Sequence, residues 1–251
     1  MKVYKYRDFA KPCDRDFERL ATMLNRQFWC TPPAKLNDPE EFVWKCDCSA
    51  TPETIDLLTE VLIHIVGRSH REAQLLASRE VEAGRLTPLA QPIVAKMIQQ
   101  CRDEIGLVCL GTSPDNEILW QRYGGRGAGV CIELDVPDGL LGTQLRRVQY
   151  HDEKRIHIDQ FIRAFIDVTR VAEVYTLALL SKPSFWAQEE EIRFISRRQA
   201  VPVVIDDSCI ARLILGDALT PSVRERIQAM AGAVPVATRN HGLSIWQLSG
   251  K

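Results

Sequence analysis

Apolar and polar positions alternate from the first residues of the chain. Across 2–9, Val3, Lys5 and Arg7 fall on one face and Tyr4, Tyr6 and Asp8 on the other, which predicts a strand. The period then lengthens. Phe17, Leu20, Met23 and Leu24 repeat at helical spacing, so 14–27 reads as a helix with Asp14 as its cap. A short strand at 28–31 ends at Pro32-Pro33, and 36–39 (Leu-Asn-Asp-Pro) is a turn, because Asn and Asp bond their own backbone and Pro fixes φ. Phe42, Trp44 and Cys46 alternate as a third strand.

From 54 to 103 the pattern is helical. Thr51-Pro-Glu-Thr54 is a start signal, and Ile55, Leu58, Val61, Leu62 and Ile65 form an apolar stripe. Helices follow at 69–83 and 89–101, with Gly84 and Pro88 as punctuation. Beyond this block come strands at 107–110, 130–134 and 145–150, a short helix at 118–123 and a long helix over 151–180. Strands at 201–205, 211–216, 234–237 and 243–248, with a Pro-initiated helix at 221–230, complete the chain. The expected architecture is α+β: one domain over 1–251 with a mostly antiparallel sheet core and a helical insertion at about 52–105.

Composition narrows the class. The 251 residues are 45% hydrophobic, enough for a core, and 26% charged. A net charge of −1 argues against holding nucleic acid by bulk electrostatics, although a local basic patch stays open. No apolar run nears the roughly 20 residues of a membrane helix, and the N-terminus lacks a signal-peptide apolar region, so a cytoplasmic protein with no membrane partner is expected. Of eight cysteines, Cys46 and Cys48 form a C-x-C. No second pair stands at zinc spacing, and buried free thiols are expected with no metal site.

Other motifs read as structure. Gly124–Gly129 (Gly-Gly-Arg-Gly-Ala-Gly) precedes a strand, the wrong order for a dinucleotide fingerprint, and is expected to be a flexible hairpin turn. His64 is read as packed in the apolar stripe, and His151 as a strand-end residue. No G-x-S-x-G elbow supports a serine nucleophile. Ser113, in a loop after a strand, is placed to offer a ligand-binding hydroxyl.

The densest chemistry lies at 186–194, Trp-Ala-Gln-Glu-Glu-Glu-Ile-Arg-Phe. One reading is a solvated charged edge. The other places Glu189, Glu191 and Arg193 on one strand face with Glu190 pointing away. Two close carboxylates raise one pKa and an arginine lowers it, an arrangement suited to acid/base work or to stabilising a sugar cation.

Several of these stretches resemble one family. Leu36-Asn-Asp-Pro-Glu-Glu41 resembles its L-N-D-P-F-E turn, with Glu40 in place of the aromatic, and Trp186, Glu189, Glu191 and Arg193 match its W-x-x-E-x-E-x-R. Leu119–Tyr123 with Gly129–Asp135 resembles M-W-x-x-Y…G-x-C-I-E-F-D, Val148-Gln-Tyr150 resembles V-x-Y, and Tyr4–Arg7 resembles Y-x-Y-R. The family is a bacterial domain of unknown function similar to AbiGi-type abortive-infection proteins. Gly111 or Thr112 stands where that family often has a serine, which leaves that hydroxyl's role without support here.

The motif order also resembles ADP-ribosyltransferases of the DNA-modifying toxin branch, whose split sheet would then be the expected fold. The resemblance implies NAD as substrate, a nucleic-acid or protein acceptor and a cognate regulatory protein. It implies that Arg7 holds a phosphate, that Tyr123 or Trp29 stacks on nicotinamide with Ser113 beside it, that Glu191 stabilises the ribose cation and that Glu189 serves the acceptor. Three functions follow: a toxin-like phage-defence enzyme that transfers ADP-ribose or hydrolyses NAD; a Mg²⁺-dependent nuclease or hydrolase using Asp38, Glu41, Glu189 and Glu191; or a non-enzymatic defence sensor or binding module in which Trp120, Trp186 and Tyr123 are core residues, Asn37-Asp38 a turn and Glu191–Arg193 a buried or edge ion pair.

Overall fold

The computed structural model describes residues 1–38, 45–153, 155–205, 208–239 and 247–248. Strands are Lys2–Asp8 (β1), Gln27–Trp29 (β2), Lys45–Asp47 (β3), Gly106–Leu110 (β4), Gly129–Asp135 (β5), Leu145–Arg147 (β6), Gln149–His151 (β7), Arg155–His157 (β8), Ser181–Pro183 (β9), Ile192–Ser196 (β10), Pro202–Val204 (β11), Cys209–Leu215 (β12), Val236–Thr238 (β13) and Gln247–Leu248 (β14). Helices are Asp14–Leu24 (α1), Pro52–His64 (α2), His70–Glu82 (α3), Leu86–Glu104 (α4), Glu117–Tyr123 (α5), Ile158–Ile166 (α6), Val171–Leu180 (α7) and Pro221–Ala231 (α8). The fold is α+β with antiparallel sheets. No helix among the described residues is long and apolar enough to cross a membrane.

The chain divides into two compact units, 1–35 with 105–148 and 185–251, and 36–104 with 149–184. The helices expected as an insertion thus share their unit with 149–184, a segment the sequence pattern gave no reason to join to them.

Unit 1 is built on the sheet β1-β5-β12-β13-β14 and a second sheet, β4-β10-β6. β5 lies between two antiparallel neighbours, and Val130, Ile132 and Leu134 enter the main core with Val3, Leu213 and Leu215. Each such aliphatic side chain contributes about 1.5–3 kcal/mol by leaving water. The other face of β1 packs Tyr4 and Tyr6 against Leu119, Trp120, Cys131 and Ile214. Glu133 is buried in β5 and held by Lys2 and Arg212 from the flanking strands. Burial alone raises its pKa, but the hydrogen bonds from Lys2 and Arg212 outweigh that and hold it below the ordinary value of 4.5.

In unit 2, α2 starts where Thr51 Oγ1 accepts from Thr54 N (3.1 Å), as the start signal predicts. Ile158, Ile162 and Leu86 form its local core, with Cys46 and Cys48 packed against them. α4 runs through Pro88 and Pro92 instead of stopping. Pro88 lies in the first turn, where a missing N–H is harmless.

Several expectations need correction. The span 151–180 is not one helix: β7 and β8 precede α6, and Asp167 caps a new turn by accepting from Thr169 N (3.0 Å), which separates α6 from α7. Residues 145–150 fall into two strands of different sheets, β6 and β7. Asp14 does not cap α1. Cys13 holds that place, with Asp16 Oδ2 accepting from its N–H (3.1 Å). His64 is exposed at the end of α2, since the buried side of that helix runs through Thr54 and Thr59. Gly125–Gly127 is a 3-10 turn leading from α5 into β5, not a hairpin. Residues 39–44 of the expected turn and third strand, and 243–246 of the last strand, lie outside the described residues.

Candidate functional site

The site is a cleft of about 520 Å³ in unit 1, lined by β1 (Lys5, Tyr6, Arg7, Asp8), the loop after it (Ala10, Lys11), Asp16 of α1 and the end of α5 (Arg122, Tyr123). Period-two geometry sends Lys5 and Arg7 off one side of β1, while Val3 on the same face enters the core. The lining carries Lys5, Arg7, Lys11 and Arg122 against Asp8 and Asp16. That excess of positive charge favours an anionic ligand.

Arg7 Nη2 donates to Asp16 Oδ1 (3.0 Å), while its Nε is buried without a hydrogen-bond partner. The Cys13 amide, with help from the Cys13 thiol and Arg7, holds Asp16 below the ordinary carboxylate pKa. Asp16 therefore aims the guanidinium. Lys5 Nζ donates to the Cys109 carbonyl (2.9 Å). Burial lowers the Lys5 pKa, Arg7 lowers it further, and Cys109 and Glu191 oppose them. Burial, reinforced by the Glu191 charge, pushes the Cys109 thiol up to about 12, so it is an inert thiol rather than a nucleophile.

α5 is fixed from both ends. Asn116 Oδ1 caps it by accepting from Leu119 N (3.1 Å), and its Nδ2 donates to the Gln188 carbonyl (2.8 Å). Trp120 is fully buried, donates to the Pro114 carbonyl (2.8 Å) and packs edge-on against Tyr6 at 5.3 Å. The end of α5 then meets the acidic stretch. Glu189 Oε1 accepts from Arg122 Nη1 and from the Tyr123 hydroxyl, both at 2.9 Å. The Arg122 guanidinium lies 4.3 Å from the Trp186 ring centroid, a cation–π contact.

The expectation that Glu189 and Glu191 share a strand face is corrected here. Residues Ser184–Glu189 form a 3-10 helix, Glu190 has φ 47°, and the strand begins only at Ile192. A left-handed residue between the two carboxylates sends them to different partners. Glu191 is buried and accepts from Arg193 Nε (2.7 Å) and Nη2 (3.3 Å), with Arg193 fully buried. Glu190 is exposed as expected, accepting from the Thr112 hydroxyl (2.8 Å).

Of the residues singled out from the sequence, Arg7 and Tyr123 line the cleft and Glu189 reaches it through Tyr123 and Arg122. Glu191 is not in the lining. Trp29 is 53% exposed on β2 and is not in the lining either. Ser113 Oγ accepts from Asp115 N (3.1 Å) and its carbonyl accepts from the Tyr6 hydroxyl (2.6 Å), so it shapes the loop before α5. Sequence reasoning passed over Lys5, Lys11, Asp16 and Arg122. The alternation that placed Arg7 also placed Lys5 beside it. Among the described residues no three His, Cys, Asp or Glu side chains group as a metal site, and Glu41 lies outside them. Comparison with family models, curated proteins and solved structures finds no match for this chain.

Proposed function

We propose that unit 1 binds NAD in this cleft and cleaves it at the nicotinamide bond, passing ADP-ribose to a nucleic-acid or protein acceptor or to water, as a toxin-like enzyme of phage defence. The single observation that carries the reading is the cationic cleft with Tyr123 tied at its edge to a buried carboxylate, Glu189. Arg7, Lys5 and Arg122 supply charge for the two phosphates, and guanidinium geometry suits them. Tyr123 offers a ring face for a base or nicotinamide. In this reading Glu189, rather than Glu191, is the carboxylate that meets the developing ribose cation, since its partners Arg122 and Tyr123 line the cleft and Arg193, the partner of Glu191, does not. The resemblance to AbiGi-type proteins and the order Arg7, Tyr123, Glu189 support the defence setting, the ADP-ribosyltransferase-like split sheet, a cytoplasmic place of action and a cognate regulatory partner.

The test is nicotinamide release from labelled NAD. Wild type releases it, and Arg7→Ala and Glu189→Gln each lower the rate at least tenfold. Equal release by wild type and Glu189→Gln overturns the reading.

One observation favours a second reading, a non-enzymatic defence sensor or binding module. The Glu191–Arg193 pair and Trp120 are buried as a structural role requires. Calorimetry showing tight nucleotide binding with no turnover at any enzyme concentration selects it.

A further inference from the structure

The cleft of unit 1 holds an amine whose setting differs from that of its neighbours. Lys5 and Arg7 leave the same face of β1 and both line the cleft. Two residues of antiparallel strand set their Cα atoms roughly 7 Å apart. Asp16 Oδ1 accepts from Arg7 Nη2 (3.0 Å) and aims the guanidinium. Lys5 is half-buried, and among the described residues its Nζ donates to the Cys109 carbonyl (2.9 Å) rather than to a carboxylate. Lys2, on the same strand, is paired with buried Glu133, and Lys11, also in the lining, is exposed.

A carbonyl acceptor holds an amine in place without fixing its charge, because neutral and protonated nitrogen both donate to it. A carboxylate partner would instead hold the proton on. Burial, and after it the Arg7 charge, lower the Lys5 pKa, with Cys109 and Glu191 opposing. A desolvated lysine beside a second cation is an activated amine nucleophile.

We propose that the Lys5 amine captures the aldehyde of ring-opened ribose 5-phosphate as an imine while Arg7 holds the phosphate. The spacing along β1 suits this ligand, whose phosphate and C1 lie at opposite ends of a five-carbon chain. The assignment rests on reading the cleft as the place where NAD is cleaved, because hydrolysis there leaves a ribose 5-phosphate unit, its C1 free to open, at the end of ADP-ribose. Captured product occupies the cleft, so the imine is a brake on the next turnover.

The step is redox-neutral and balances without a further reagent. The Nζ lone pair bonds to C1, and the carbonyl oxygen takes a proton from the nitrogen. The carbinolamine then expels that oxygen as water with the second nitrogen proton, leaving a C=N bond. Addition of water reverses the sequence and frees both lysine and sugar. A protonated imine keeps the positive charge of the lysine, so the cleft stays cationic while it is occupied.

The experiment incubates the full-length protein near neutral pH with ribose 5-phosphate and cyanoborohydride, which donates hydride to the C=N bond and fixes it as a secondary amine. Peptide mass spectrometry is expected to place the adduct on Lys5 ahead of Lys2 and Lys11, and about tenfold faster than with ribose, which lacks the phosphate. In Arg7→Ala the two sugars are expected to react at Lys5 alike. Lys5→Met, its fold checked by circular dichroism, is expected to lose the phosphate-dependent part of the total adduct. ADP-ribose in place of ribose 5-phosphate is expected to mark the same lysine. Adducts on Lys2 and Lys11 with none on Lys5, or equal rates at Lys5 for the two sugars in the wild type, overturn the proposal. The sugars are supplied ready-made, so an adduct on Lys5 without nicotinamide release from NAD would sink the enzyme reading alone, and release without an adduct would sink the capture alone.

Discussion

Glu189 and Glu191 stand two residues apart, are both buried and both face an arginine, yet they belong to different parts of the protein's chemistry. Arg193 is fully buried, so the Glu191 pair is sealed within unit 1. Arg122 is 37% exposed and lines the cleft, so the Glu189 pair is a strut with one end in solvent. Burial of a carboxylate does not by itself mark a site. What matters is whether its partner reaches open space.

Each side of this contrast can be tested, and the largest effect belongs to the sealed pair. Arg193→Ala removes the guanidinium that donates twice to the buried Glu191 carboxylate, so denaturant unfolding is expected to show a loss of about 3–5 kcal/mol. The double variant Arg193→Leu, Glu191→Leu is expected to recover most of it. A cost below about 1 kcal/mol for Arg193→Ala would show that Glu191 finds another partner and would remove the distinction.

Glu189→Gln comes next. Its partners can turn to water, so stability is expected to fall by only about 1–2 kcal/mol, while ADP-ribose affinity drops at least tenfold because Tyr123 and Arg122 lose their fixed aim. Calorimetry beside unfolding separates the two numbers, and a large stability loss with unchanged affinity would make Glu189 another sealed pair. For Arg7→Ala, about a tenfold loss of affinity is expected, roughly 1.4 kcal/mol, together with a shallower dependence of binding on salt.

The smallest effect concerns a third buried carboxylate, Glu133, which lies between the two types because Lys2 is half-exposed and Arg212 less so. Its folded pKa lies below its unfolded value, so the stability it contributes is complete above about pH 4.5 and is lost as pH falls through the folded pKa. Melting temperature against pH is expected to show a flatter acid limb in Glu133→Gln. An unchanged limb would assign acid sensitivity to other carboxylates.

What the sequence disclosed follows from range. β1, β4, β5 and β10, and helices α2, α3, α5 and α8, carry local signals: period two, period 3.6, a threonine cap, a proline at the first turn. Arg7 and Tyr123 reached the cleft because one alternation and one short helix place them there. The rest depended on contacts or angles that no local pattern encodes. The left-handed φ of Glu190 split an acidic run that read as one strand face. Ile156 looked helical at its position, but it pairs in β8 with Cys46, 110 residues earlier. The same long-range pairing brings Ser49 Oγ to 3.3 Å from His157 Nε2. Arg122 lies inside a stretch that resembles the family, but its role depends on Trp186 and Glu189 arriving from elsewhere.

The segment 188–191 is pinned at both ends, by Asn116 to the Gln188 carbonyl and by Val148 N to the Glu191 carbonyl (2.9 Å). This bears on how the chain tolerates being cut and rejoined. New termini opened inside those four residues would release the strut and the sealed pair together, and a circularly permuted chain broken there would lose its cleft and part of its core at once. A break at Leu141–Gly142, where the turn is exposed and space lies open around Gly142, would disturb neither.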